Sequence, residues 1–213
     1  MFNTLLHMLD RTARRIAEIP RRGLPELRPH PSTFDEEFGV ETDRMVWLTN
    51  PAAKNYAHGG RYQGCNPVSC RWLIDTSKID TKDYWFVDIG CGKGRAMLVA
   101  SRYEFPRLVG VEYSARLCRI ARSNLHKCNV PDSRFEISCS DATEFRFPDQ
   151  DLFVFFYNPF DATILRTVLE NLRSVSGNYF VGYEGPGRGE LEKYDWLSLA
   201  ATGPNVVLYA KRQ

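Results

Sequence analysis

The sequence predicts an α/β architecture: a doubly wound, mostly parallel sheet that ends in a C-terminal antiparallel hairpin strand and is preceded by a helical N-terminal extension. Three observations support that class. From Tyr84 onward, apolar runs alternate with stretches of helical period, the pattern of parallel strands joined by right-handed crossovers. Two of the runs, "YWFVDIG" and "LFVFFYNPF", read as buried strands, the second continuously apolar as buried parallel strands are. The first leads straight into "GCGKGR", which sets Gly90, Gly92 and Gly94 ahead of a helix-like stretch.

In chain order, residues 1–19 place Phe2, Leu5, Leu6, Leu9, Ala13 and Ile16 on one helical stripe, with Arg11, Arg14 and Arg15 on other faces, and Pro20 ends the helix. The proline-rich "PRRGLPELRPHPS" reads as an extended linker, so residues 1–32 form an amphipathic helix with a tether. Residues 33–83 make a cap segment ahead of the core, with a turn-rich loop "HGGRYQGCNP" and a short helix "PVSCRWLIDTS" that starts on proline. The core, 84–213, opens with the strand "YWFVDIG", a helix over 94–103 and a second strand over 107–113. Ser114 caps the next helix, which turns Leu117, Cys118, Ala121 and Leu125 inward and Arg116, Arg119, Arg122 and Lys127 outward. A third strand spans 134–142 and a fourth 152–160. The helix "DATILRTVLENLRSVSG" buries Ile164, Leu165, Val168, Leu169 and Leu172 and stops at Gly177. A fifth strand covers 178–185, and "WLSLAATGPNVVLYAKR" folds back as a hairpin around Gly203, Pro204 and Asn205, adding one antiparallel strand.

A chain of 213 residues, 43% apolar and 25% charged, suffices for one substantial soluble domain plus an extension. Its net charge of +2 singles out no class of partner. No stretch reaches the roughly 18 apolar residues of a membrane span. The start carries no small-residue cleavage site of a secretory signal, so a cytoplasmic address is expected. Cys65, Cys70, Cys91, Cys118, Cys128 and Cys139 form no C-x-x-C and are expected to be free, mostly buried thiols; no metal site is expected.

The glycines carry the chemistry. A strand-to-helix turn without Cβ atoms lets a ligand approach the main chain and meet amides at a helix N-terminus. A dinucleotide fingerprint would read G-x-G-x-x-G, but here the spacing is G-x-G-x-G and Arg95 stands where the third glycine belongs. Asp88, just ahead of the first glycine, would repel a pyrophosphate and suits a ligand bearing an ammonium group. The stretch resembles motif I, (D/E)-x-G-x-G-x-G, of the class I S-adenosylmethionine-dependent methyltransferases, with Asp88, Gly90, Gly92 and Gly94 in place. That resemblance implies a Rossmann-like fold and S-adenosylmethionine as cofactor. It also implies that Glu112, at the end of "GVEYS", bonds the ribose hydroxyls, and that Asp141 of "SDA" bonds the adenine amino group. Tyr113 and Ala142 stand beside them, and Cys91 lines the loop as a small residue rather than a nucleophile.

For the acceptor, Asn158, Pro159 and Phe160 resemble the (N/D)-P-P-(Y/F) signature of amino-methyltransferases, with one proline missing. The resemblance gives Asn158 the task of accepting a hydrogen bond from the target nitrogen, beside the cofactor's methyl, and Phe160 that of stacking on the substrate. Asn-Pro is equally a strand-to-helix turn with Asp161 as N-cap. His58 and Asp161 are weak candidates for a base, and Tyr62 or Gln63 for closing over the methionine end of the cofactor. The chain also looks like bacterial stand-alone methyltransferases distantly similar to the non-SET lysine enzymes, which implies a nitrogen acceptor ahead of oxygen. A small molecule or a protein side chain is favoured over nucleic acid, because "DEEFGVETD" counters the arginines of 11–28. Two other readings stay open: a catalytically inert S-adenosylmethionine-binding module, and a NAD(P)-dependent oxidoreductase.

Overall fold

The computed structural model describes residues 33–44, 46–47, 61–158 and 160–212. The helix and linker read into residues 1–32 lie outside the described residues, as do His58 and Pro159. The chain divides into two units, Met1–Pro31 and Ser32–Gln213, and every described element belongs to the second.

That unit begins with α1 (Thr33–Phe38) and a two-stranded antiparallel ribbon of β1 (Val46–Trp47) and β2 (Arg61–Tyr62). In α2 (Pro67–Ser77), Asn66 caps the first turn by accepting from the Val68 N–H at 2.9 Å, and Pro67 sits where no intrahelical N–H is needed. Then come β3 (Trp85–Ile89), α3 (Arg95–Ala100), β4 (Leu108–Val111), α4 (Ala115–Lys127), β5 (Phe135–Ser138), β6 (Leu152–Tyr157), α5 (Ala162–Arg173), β7 (Tyr179–Glu184), β8 (Leu197–Gly203) and β9 (Val206–Lys211).

The seven core strands form one sheet in the order β5-β4-β3-β6-β7-β9-β8. The five strands from β3 to β7 pair in parallel, whereas β9 runs antiparallel to both β7 and β8. One strand therefore opposes the rest, as the hairpin reading requires, and it is inserted between β7 and β8. The order reverses between β3 and β6, and such a switch point opens a crevice at the carboxyl ends of the strands.

Alternate residues of each strand feed two cores. One face carries Phe86, Phe153 and Phe155, the first two rings stacked at 5.8 Å, under Leu73, Met97, Leu98, Cys118, Ala121 and Leu125 of α2, α3 and α4. The other carries Val87, Ile89, Val154 and Phe156 under the predicted stripe of α5, Ile164 to Leu172. Several predicted spans are shorter than read: α3 ends at Ala100, β4 at Val111, β5 at Ser138 and β6 at Tyr157. Gly177 does not stop α5, which ends at Arg173 with Ser174 as C-cap. Gly177 instead abuts the following turn, where a Cβ would lie 2.4 Å from the Gln150 carbonyl oxygen. On α4, Arg122 departs from the outward set, donating to the Ile137 carbonyl at 2.6 Å.

Candidate cofactor and acceptor site

Beyond Ile89 the chain turns through three left-handed glycines, with φ of 77° at Gly90, 54° at Gly92 and 82° at Gly94, conformations costly for residues with a Cβ. The Gly90 and Cys91 N–H groups both donate to the Val111 carbonyl at 2.9 Å, binding the loop to the end of β4. One residue on, Glu112 accepts from the Gly92 N–H at 3.1 Å and from the Ser114 N–H at 2.8 Å, so one buried carboxylate ties the glycine loop to the start of α4. Burial raises its pKa to about 7, against the lowering effect of those N–H groups. Asp88 is 3% exposed, and burial, followed by the nearby Glu112 charge, lifts it to about 8. No cation among the described residues forms an ion pair with either carboxylate. Cys91 is buried and its thiol is pushed well up by desolvation, which leaves it unreactive.

The cap segment closes directly on this loop. The Tyr62 ring lies so near Gly92 that a Cβ there would fall 2.2 Å from it, and the Tyr62 hydroxyl donates to the Thr42 carbonyl at 2.7 Å. Gln63 points to solvent. Lys93 is fully buried, donating to Glu41 Oε1 at 2.8 Å and to the Arg44 carbonyl at 2.9 Å, with its Nζ 5.3 Å from the Tyr62 ring centre. Arg95 donates to Thr42 Oγ1 at 2.6 Å, to the Cys65 carbonyl at 3.2 Å and to Asp43, and stands 3.6 Å from Asp35. Asn124 of α4 joins in, donating to the Lys93 and Glu41 carbonyls. Sequence reasoning missed this network. Its only signal was a lysine and an arginine inside a glycine loop, with an acidic run 50 residues upstream.

At the end of β4 and β5, Tyr113 is half-buried, Ala142 packs into the second core, and Asp141 caps a short turn by accepting from the Thr143 N–H at 2.9 Å and its hydroxyl at 2.7 Å. Asn158 follows β6 with φ of 35°, and its Oδ1 accepts from the Tyr183 hydroxyl at 3.1 Å. The loop after β7 wraps it: a Cβ on Gly185 would lie 2.7 Å from Asn158 Cβ, and one on Gly187 2.4 Å from the Tyr183 oxygen. Phe160 leans on the second core, and Asp161 caps α5 through the Thr163 and Ile164 N–H groups at 2.9 and 3.2 Å. Asp161 thus has a capping task. Glu184, which the sequence did not mark, ends β7 opposite Tyr157; it is buried and accepts from the Asn66 N–H at 3.2 Å and from the Ser69 side chain.

Glycine loop, Glu112, Asp141 and Asn158 therefore line up along the carboxyl ends of β3 to β6, as the four motifs read in sequence require. No helix among the described residues is long and apolar enough to cross a membrane. The methyltransferase-domain family model matches residues 86–176, and no curated protein matches the chain. Among solved structures, a methyltransferase from Geobacter sulfurreducens is similar at 18% identity and TM-score 0.53, over 70% of this chain and 80% of its own. A ribosomal protein methylase from Lactobacillus delbrueckii subsp. bulgaricus matches at 12% and 0.52, over 68% and 77%. Magnesium protoporphyrin IX methyltransferase from Synechocystis PCC 6803, crystallised with bound S-adenosylmethionine, matches at 14% and 0.51, over 68% and 77%. Residues 86–176 thus match a methyltransferase-domain model, and the fold that contains them is one shared with solved methyltransferases.

Proposed function

We propose that the chain transfers a methyl group from S-adenosylmethionine to an acceptor nitrogen, on a small molecule or a protein side chain. The observation that carries this is the pairing of a Cβ-free, left-handed glycine loop with two buried carboxylates, Asp88 and Glu112, that no cation among the described residues neutralises. Such a loop accommodates a ligand pressed on its backbone, and such carboxylates suit an ammonium and a pair of hydroxyl donors. A dinucleotide fits less well. Its pyrophosphate would face Asp88, and Arg95 is committed to Asp43, Thr42 and the Cys65 carbonyl.

Bound S-adenosylmethionine supplies an electrophilic methyl on a sulfonium. The chain's part is to hold and align. Asp88 receives the α-ammonium, Glu112 the ribose hydroxyls, and Asp141 with Ala142 and Tyr113 the adenosine end, while the Tyr62 ring on Gly92 walls the methionine side. Asn158 keeps a neutral oxygen at the rim, steadied by Tyr183, and that oxygen has a second lone pair for a target N–H. Phe160, partly buried against the second core, serves as support.

Calorimetric titration with S-adenosylmethionine and, separately, with NADH tests the reading. Heat with the first and none with the second is expected. Glu112→Ala should weaken the first about ten- to a hundredfold, since hydrogen bonds to a charged group contribute about 1.5–3 kcal/mol. Unchanged affinity would remove Glu112 from the site. Binding without methyl transfer to any amine, peptide or tRNA would favour an inert binding module.

A further inference from the structure

We propose that Glu184 is the anionic wall of the acceptor pocket and receives an N–H of an amine acceptor, so that the substrate class is amines rather than alcohols or thiols. The inference rests on the cofactor reading above and extends it. Glu184 and Asp88 project from the same face of the sheet, since Asp88 registers with Phe155 and Gly182, and Glu184 with Tyr157, in the alternation that buries Phe86 and Phe153 there. Both carboxylates act on the thiols of Cys65 and Cys70, raising each electrostatically, so all four side chains share one neighbourhood. By strand spacing and rise, their backbone positions are about 12 Å apart, room for two separate amine groups. If Asp88 takes the cofactor's ammonium, Glu184 is left over.

What Glu184 lacks is as informative. Its partners are the neutral Asn66 N–H and Ser69 side chain, and no lysine, arginine or histidine among the described residues pairs with it. A buried carboxylate without a counter-ion is an expensive group to retain, and it is satisfied by a cation or by a strong donor arriving from outside. The neighbours of Glu184 reach solvent: Asn66 and Asn158 are exposed, and Ser69 and Tyr157 half-exposed. Asn158 is its neighbour on the rim, with Gly185 packed on the Asn158 Cβ.

The chemistry gives the charge a purpose. As the amine lone pair forms its bond to the methyl carbon, the carbon–sulfur bond breaks with its electron pair left on sulfur, and the positive charge passes from sulfur to nitrogen. A fixed carboxylate beside that nitrogen stabilises the charge where it develops. Once transfer is complete, the same carboxylate faces an alkylammonium product.

The test uses n-butylamine and its oxygen isostere 1-butanol, titrated into full-length protein saturated with S-adenosylhomocysteine. Wild type should bind the amine and not the alcohol. Glu184→Gln, which keeps the acceptor for Asn66, should bind S-adenosylhomocysteine like wild type and melt no lower, yet lose about tenfold or more in amine affinity. Glu184→Asp should recover part of it. Equal amine binding by wild type and Glu184→Gln, equal binding of amine and alcohol, or no amine binding by the saturated wild type would each overturn the proposal. So would a lowered melting temperature with amine affinity intact, which would make Glu184 only the anchor of α2. If S-adenosylhomocysteine itself fails to bind wild type, the cofactor reading falls first, and this inference with it.

Discussion

Asp88 and Glu112 titrate near neutral pH in the fold. Their ordinary values, 3.8 and 4.5, rise to about 8 and about 7 in the fold. A carboxyl raised in this way keeps its proton in the folded chain over a range where the unfolded chain has lost it. From about pH 4 to about pH 8, stability therefore falls as pH rises. Asp88→Asn removes the larger of the two effects. The variant should melt above wild type near pH 8 and lose that advantage as the pH falls toward about 5. Its affinity for S-adenosylmethionine should drop, because the neutral amide no longer pairs with an ammonium. Thermal melts at the two pH values and a calorimetric titration check both halves. A variant less stable than wild type near pH 8 would mean that Asp88 has a favourable partner in the fold.

The elements around the glycine loop are joined by charges that local pattern does not reveal. The strands were readable because β6 is an unbroken apolar run and β3 is apolar apart from Asp88, and α4 and α5 because their inward stripes keep helical spacing. The loop was readable from its glycines and the ordered motifs beyond it. Lys93 and Arg95 were not, since their partners Glu41, Asp35 and Asp43 lie 50 to 60 positions earlier in "DEEFGVETD", a run read as a counterweight to the N-terminal arginines. Glu184 escaped notice for a similar reason: its burial depends on α2, far away in the chain. The two cations in the loop should not be equivalent. Arg95→Met takes the cation from Asp35 and Asp43, whose side chains are 7% and 16% exposed, and removal of one partner from a buried ion pair costs about 3–5 kcal/mol. Lys93→Met releases Glu41, whose side chain is 55% exposed and turns to water, so the loss should be smaller. Urea unfolding of the two variants checks the ranking, and equal losses would contradict it.

For the molecule as a whole, Ser32–Gln213 forms one unit. The segment read as a cap ahead of the core is fastened to it by Lys93, Arg95 and Asn124. Removal of residues 1–31 should leave a chain that melts cooperatively and still binds S-adenosylmethionine. Removal of 1–45 takes away Asp35, Glu41, Thr42 and Asp43, strips Lys93 of Glu41 and the Arg44 carbonyl, leaves Arg95 the Cys65 carbonyl, and should abolish soluble expression or the cooperative melt. If the shorter protein behaves like the longer one, the cap is dispensable. The bond from Lys93 to the Arg44 carbonyl has one more consequence. Trypsin cuts after arginine, and the carbonyl it must attack at Arg44 is the one held by the glycine loop's own lysine. Cleavage there requires that grip to open. A ligand present at a hundred times its Kd adds about 2.7 kcal/mol against opening, so the rate of nicking after Arg44 becomes a readout of occupancy at a peptide bond outside the ligand site.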